Sequence, residues 1–218
     1  MRRFAGLLSL VSFLFLGACS EPEKTKEAPH PNQLKLFVFE VNGKFGFRDS
    51  SGVVHIPAQY DMAYEFDTNL IAPVYDSSGW IMIDKKGNYV LTPYFFDNGP
   101  DYFEEGLARF VENGKMGFFN GRGEKIVPAG FDFVTPFKNS YAAGCLGCSP
   151  TPLDPERWKI DGGRWGMINK AGKVVVPFSY DALIHFDRDS ITVKNEKGWF
   201  KMKIGGNTLK GVSPPKAE

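Results

Sequence analysis

Four aspartates recur directly after an aromatic residue, at Tyr60-Asp61, Phe96-Asp97, Phe131-Asp132 and Tyr180-Asp181. Carboxylates perform acid–base chemistry when their surroundings push their acidities apart. Four acids in equivalent settings supply no such asymmetry, so they are expected to be structural, satisfying backbone N–H groups in turns. Cys145-Leu146-Gly147-Cys148 is the second chemical candidate. A zinc site would need further ligands at matching spacing, but there is no second Cys pair, and His30, His55 and His185 are scattered. A thioredoxin-like pair opens a helix, which Pro150 and Pro152 oppose. In an oxidising compartment a local disulfide that staples the surrounding loop is the leading reading, with redox and metal roles behind it. No Gly-x-Ser-x-Gly, phosphate loop or His-Glu-x-x-His pattern occurs, and no cofactor or metal is expected.

The scaffold beneath these residues is a repeat. With Phe45, Trp80, Met116, Trp165 and Trp199 as leading residues, the chain aligns with itself at a period of about 35 residues. Gly163-Arg164-Trp165-Gly166-Met167-Ile168-Asn169, a turn at Gly172, Val174-Val175-Val176-Pro177 and Tyr180-Asp181 make up one unit. An aromatic residue follows five positions after each acid, at Phe66, Tyr102, Phe137 and Phe186. Alternating runs, glycine turns and β-branched runs ending at proline read as three or four short strands per unit. No stretch carries a helical period. Units lie near 43–77, 78–112, 114–162, 163–195 and a partial 196–206, within a repeat domain of 34–212. The third unit holds an insertion, 144–161, in which Asp154, Glu156, Arg157 and Trp158 are suited to contacting a partner; the plainer reading is a loop covering a sheet edge.

The 218 residues include 26 basic and 25 acidic ones, a balance that offers no field for nucleic acid. Twenty Phe, 8 Tyr and 4 Trp argue for a packed core, and 24 Gly with 15 Pro argue against a helical bundle. Leu36–Gly43 matches the end of a unit (Leu107–Gly114), and Trp199-Phe200-Lys201-Met202 matches the start of one. The fold class is therefore all-β, propeller-like and closed by a fifth blade shared between both termini, or an open β-solenoid with partial end units as caps.

The N-terminus reads as an address. Arg2 and Arg3 precede an apolar run from Phe4 to Leu16, too short to span a bilayer as a helix. Leu16-Gly17-Ala18-Cys19 resembles the lipobox of bacterial lipoproteins. The resemblance implies a signal peptide at 1–18, lipid chains on Cys19 and anchoring in a membrane by several acyl chains. Ser20 after the cysteine implies the outer membrane of a Gram-negative cell, facing periplasm or cell surface, an oxidising address. Residues 19–33 are then a polar tether, and 213–218 a tail.

The repeat itself resembles the WG family, whose units read Gly-Lys-Trp-Gly-x-Ile-Asp, a glycine turn, Val-Ile-Pro and Tyr-Asp. Trp165-Gly166 matches outright, Phe45-Gly46 and Met116-Gly117 keep the glycine, and Trp80-Ile81 and Trp199-Phe200 keep the tryptophan. The resemblance spans 34–204 and brings no catalytic residues. It implies a non-catalytic scaffold that binds an envelope protein or polymer. An envelope hydrolase of glycosidase type and a structural spacer stand as the competing functions.

Overall fold

The computed structural model describes residues 34–66, 68, 70–154, 157–184, 187–206 and 209–214. Cys19, Glu156 and Phe186 lie outside them, as do the segments 1–18 and 19–33. Among the described residues there are strands and no helices.

The strands form five successive layers. β1 (Phe37–Val41), β2 (Lys44–Arg48) and β3 (Val54–Tyr60) make the first. β4 (Met62–Ala63), β5 (Ile71–Asp76), β6 (Gly79–Asp84) and β7 (Tyr89–Pro93) make the second. A small hairpin, β8 (Phe95–Phe96) and β9 (Gly99–Pro100), precedes the third layer of β10 (Leu107–Glu112), β11 (Lys115–Asn120) and β12 (Lys125–Phe131). The fourth holds β13 (Phe133–Val134), β14 (Tyr141–Pro152), β15 (Trp158–Asn169) and β16 (Val174–Tyr180). The fifth holds β17 (Ala182–Ile184), β18 (Ser190–Asn195), β19 (Gly198–Lys203) and β20 (Leu209–Gly211). All pairing is antiparallel. Each layer thus takes its opening strands from the end of one sequence unit and its next two from the following unit.

Turn chemistry repeats with the strands. Asp49, Asp84, Asn120 and Asn169 end the leading strands, and each accepts backbone N–H groups two and four residues on through one side-chain oxygen. These Asx turns aim the chain into the next strand. Of Asp61, Asp97, Asp132 and Asp181, from which turn capping was expected, only Asp132 accepts a backbone N–H among the described residues, and the repeated turns are capped by this other set.

Two adjacent side chains on each leading strand hold the layers together. In β6, Ile83 packs into the cluster shared with the first layer and Met82 into the one shared with the third. In β11, Phe119 packs backward and Phe118 forward, and in β15 Ile168 and Met167 do the same. Consecutive strand residues face opposite sides, so two neighbouring hydrophobes serve two interfaces. The end layers keep one each: Phe47 faces forward while Arg48 is exposed, and Met202 faces backward while Lys201 is exposed.

The glycine after the leading residue has a steric cause. A Cβ on Gly46, Gly117 or Gly166 would lie 2.5, 2.4 or 2.7 Å from the carbonyl oxygen of Ile56, Val127 or Val176. At these points a bulge lets the third strand bend across its neighbour and pair further along, as Phe45 does with Tyr60. The second repeat has Ile81 there, and its β7 stops after five residues against seven in β3, β12 and β16. β7 pairs instead with β10, which fuses the second and third layers into one seven-stranded sheet.

The sequence suggested a blade shared by the two termini, but the strands pair otherwise. β1 lies beside β2, and β19 lies between β18 and β20. The matching fragments at the two ends each complete a layer of their own. The insertion is also not a loop. Residues 144–152 and 158–161 lengthen β14 and β15 into a ribbon paired from Tyr141↔Asn169 out to Pro152↔Trp158.

Gly117→Ala is expected to lower the unfolding free energy by about 1–3 kcal/mol, because the added methyl meets backbone on the partner strand. Lys201→Ala should change it by no more than about 0.5 kcal/mol. Urea denaturation of both variants, at matched slope, makes the comparison.

Candidate functional site

Three of the four repeated acids are neutralised within their own repeat. Lys44 pairs with Asp61, Lys115 with Asp132 at 2.6 Å and Arg164 with Asp181, each cation standing just before the leading residue. Their backbone N–H groups reach the following layer, bonding the carbonyls of Tyr75, Cys145 and Lys194. Asp132 also accepts the Gly147 N–H at 2.7 Å. Lys115 and then that N–H hold the Asp132 carboxyl below its ordinary value.

Asp97 departs from this pattern. Gly79 stands where the three other repeats that bear the acid carry a cation, and Asp97 makes no hydrogen bond or ion pair with a described residue. It occupies the turn of the β8–β9 hairpin, where Asp97 and Asn98 both have positive φ, 47° and 67°. Asp and Asn tolerate that geometry best among non-glycine residues, and two such residues make a tight hairpin turn.

A buried ion pair secures the hairpin. Asp101 accepts from the Arg109 guanidinium at 2.8 and 2.6 Å and from the Arg109 backbone N–H at 2.9 Å. Arg109 also donates to the Val134 carbonyl at 3.1 Å, and its guanidinium lies 4.6 Å from the Tyr94 ring centroid and 5.5 Å from that of Phe96. Both side chains are almost fully enclosed. Bidentate Arg–carboxylate geometry with every strong acceptor engaged is the form in which such a pair survives burial. The sequence reading passed over this pair. Its one signal is Arg109 itself, a charge inside the run Leu107-Ala108-Arg109-Phe110-Val111.

Between the hairpin and the second layer lies a cleft of about 430 Å³. Its lining includes Tyr64, Glu65, Ile71 and Met82 from the second layer and Asp97 and Tyr102 from the hairpin segment. Tyr64 leans on the buried Trp80, ring centroids 5.5 Å apart, while Tyr102 is 61% exposed. Tyr102 was aligned with the buried Phe66 and Phe137, but in this repeat Phe103 turns inward, against Phe119, and leaves Tyr102 outside. A second cleft, between the last two layers, is bordered by Arg164 and Asp181, which neutralise each other.

The other predicted residues are dispersed. Cys145 and Cys148 are joined in a disulfide where the ribbon leaves the fourth layer. At the ribbon tip Arg157 bonds Asp154 through both its backbone N–H and its guanidinium, so these charges serve the turn. Trp158, opposite Pro152, is 61% exposed. Of the leading residues, Trp80 and Met116 are buried, and Phe45, Trp165 and Trp199 are half-buried. Among the described residues no three His, Cys, Asp or Glu side chains gather as a metal site.

Three stretches of the chain, residues 82–115, 116–143 and 165–199, match the family model of the WG containing repeat. No curated protein matches the chain. A solved structure described as a crystal structure of the eukaryotic initiation factor is similar at 13% identity and a TM-score of 0.34, over 79% of this chain and 51% of that one. The chain spans about half the length of that structure, and a likeness so slight carries no argument.

Asp101→Ala should cost about 3–5 kcal/mol in denaturant unfolding, because it strands the enclosed Arg109 charge. Asp132 gives a pH dependence. Its folded-state carboxyl titrates below the ordinary 3.8, so its stabilisation is complete above that value and is lost as pH falls through the folded one. Asp132→Asn should therefore lose less stability than wild type between about pH 4 and pH 2, measured by thermal unfolding.

Proposed function

With WG containing repeats at three positions as the scaffold, we propose that this protein is a lipid-anchored envelope module that binds an envelope protein or polymer without turning it over. One observation carries the reading: the repeat whose acid has no partner cation opens a cleft between exposed tyrosines, with that unneutralised aspartate on its rim. The repeats supply a rigid frame for such a surface. Leu16-Gly17-Ala18-Cys19 supports anchoring through Cys19, and Ser20 supports the outer membrane.

The frame is an open array of layers. Arg48 and Lys201 support this form, because each stands where the inner layers carry the hydrophobe that would meet a further layer. The buried clusters also join only consecutive layers. Charged end faces are how stacked repeats terminate in water.

A photo-cross-linking residue placed at position 102 of the anchored, full-length protein in intact cells tests the reading. Cross-linking to one envelope component from position 102, and not from position 201, is the expected result. Equal capture from both positions, or none from 102, would overturn it. Cys19→Ala should move the protein out of the membrane fraction and abolish acyl labelling; retention of both would remove the anchor.

A further inference from the structure

The cleft beside the β8–β9 hairpin has a one-sided charge. Among the described residues Glu65, Asp97 and Asp101 line it, and no lysine, arginine or histidine does. Asp101 is neutralised by Arg109. Glu65 accepts the Val38 N–H at 3.1 and 3.2 Å, contacts that leave its charge uncancelled. Asp97 lacks the cation that its three sister acids have. The field inside the cleft is therefore negative, between two phenol rings and beside apolar Ile71 and Met82.

Those three features select a ligand by chemistry. An anionic polymer is repelled, and a neutral sugar can donate hydroxyls to the two carboxylates but cannot cancel their charge. A protonated amine gains from both carboxylates and from the negative faces of tyrosine rings. A volume of about 430 Å³ lies near the small end of ligand sites, which run from about 300 to 1,000 Å³. It suits one long side chain and its flanking backbone.

Building on the binding role above, we propose that this cleft captures a lysine side chain presented on an extended segment of a partner protein. The ammonium sits between Glu65 and Asp97 beneath Tyr102, and the methylene stem lies toward Ile71 and Met82. A lysine's flexible aliphatic stem covers apolar surface while its head keeps a charged environment. Tyr64 is held in place for this contact by Trp80 at its back.

The test uses the full chain and a short glycine–serine peptide with one central lysine. Its Nε-acetyl-lysine twin and an N-acetylglucosamine oligomer are the comparison ligands, and chemical-shift titration is the readout. The lysine peptide should shift resonances of residues 64–65 and 97–102, with binding that weakens as salt rises. Asp97→Asn and Tyr102→Ala should each weaken it about tenfold or more. Both residues are at the surface, so an unchanged denaturation midpoint checks that the fold is intact. Equal binding of the acetylated peptide, no response to either substitution, no binding of the lysine peptide, or binding of the sugar oligomer in its place would overturn the proposal. Cross-linking from position 102 that survives while lysine recognition fails would keep the binding role and discard the amine.

Discussion

The fold depends on a pair of neighbouring side chains pointing opposite ways. A strand has two faces and a period of two, so residues side by side in sequence serve different interfaces. Met82 with Ile83, Phe118 with Phe119, and Met167 with Ile168 each connect one layer to both of its neighbours. The other contacts are arranged around them: the Asx turns that end these strands, the glycine bulges that let the next strand bend, and the ion pairs between leading cation and trailing acid. Each layer alone is too thin to bury a core; stacking supplies the missing side.

Within that frame one residue type has far-reaching effects. Ile81 stands where three other repeats have glycine, and the partner backbone cannot approach a side chain as closely as it approaches Gly46, Gly117 or Gly166. β7 therefore ends early, finds β10, and leaves the following residues to form a hairpin of their own. The hairpin needs fixing to the body, and Asp101 with Arg109 does so in a nearly closed environment. The cleft is the space left between this diverted segment and the layer it departed from. A local steric exclusion thus produces an asymmetric surface on a repetitive frame.

Much of this was legible in the residues. The period, the all-β class and the glycine turns could be read because they repeat, and repetition makes each position check the others. Arg48 and Lys201 are charges at positions that are apolar elsewhere, a signal that only the packing directions bring out. What escaped the sequence reading was the second repeat, where alignment misled. Phe96-Asp97 looks like Tyr60-Asp61, yet its acid sits in a tight turn, and Tyr102 looks like Phe66 while Phe103 takes the inward place. The cation partners of the repeated acids were hidden for a related reason. A cation seventeen positions earlier is invisible as a partner until antiparallel pairing brings the two strands together. The termini misled in the opposite way, since fragments that complement each other in sequence can each be completed locally.

The long ribbon of β14 and β15 keeps one pairing register from Tyr141↔Asn169 to Pro152↔Trp158, crossing the disulfide without slipping. Its extra residues are therefore shared evenly between two strands. A hairpin of this kind can lengthen or shorten at its tip by one residue on each side while every pair at its base stays in place. Variation in reach is separated from the geometry of the layers, so descendants of this chain could extend or retract the arm without repacking the core.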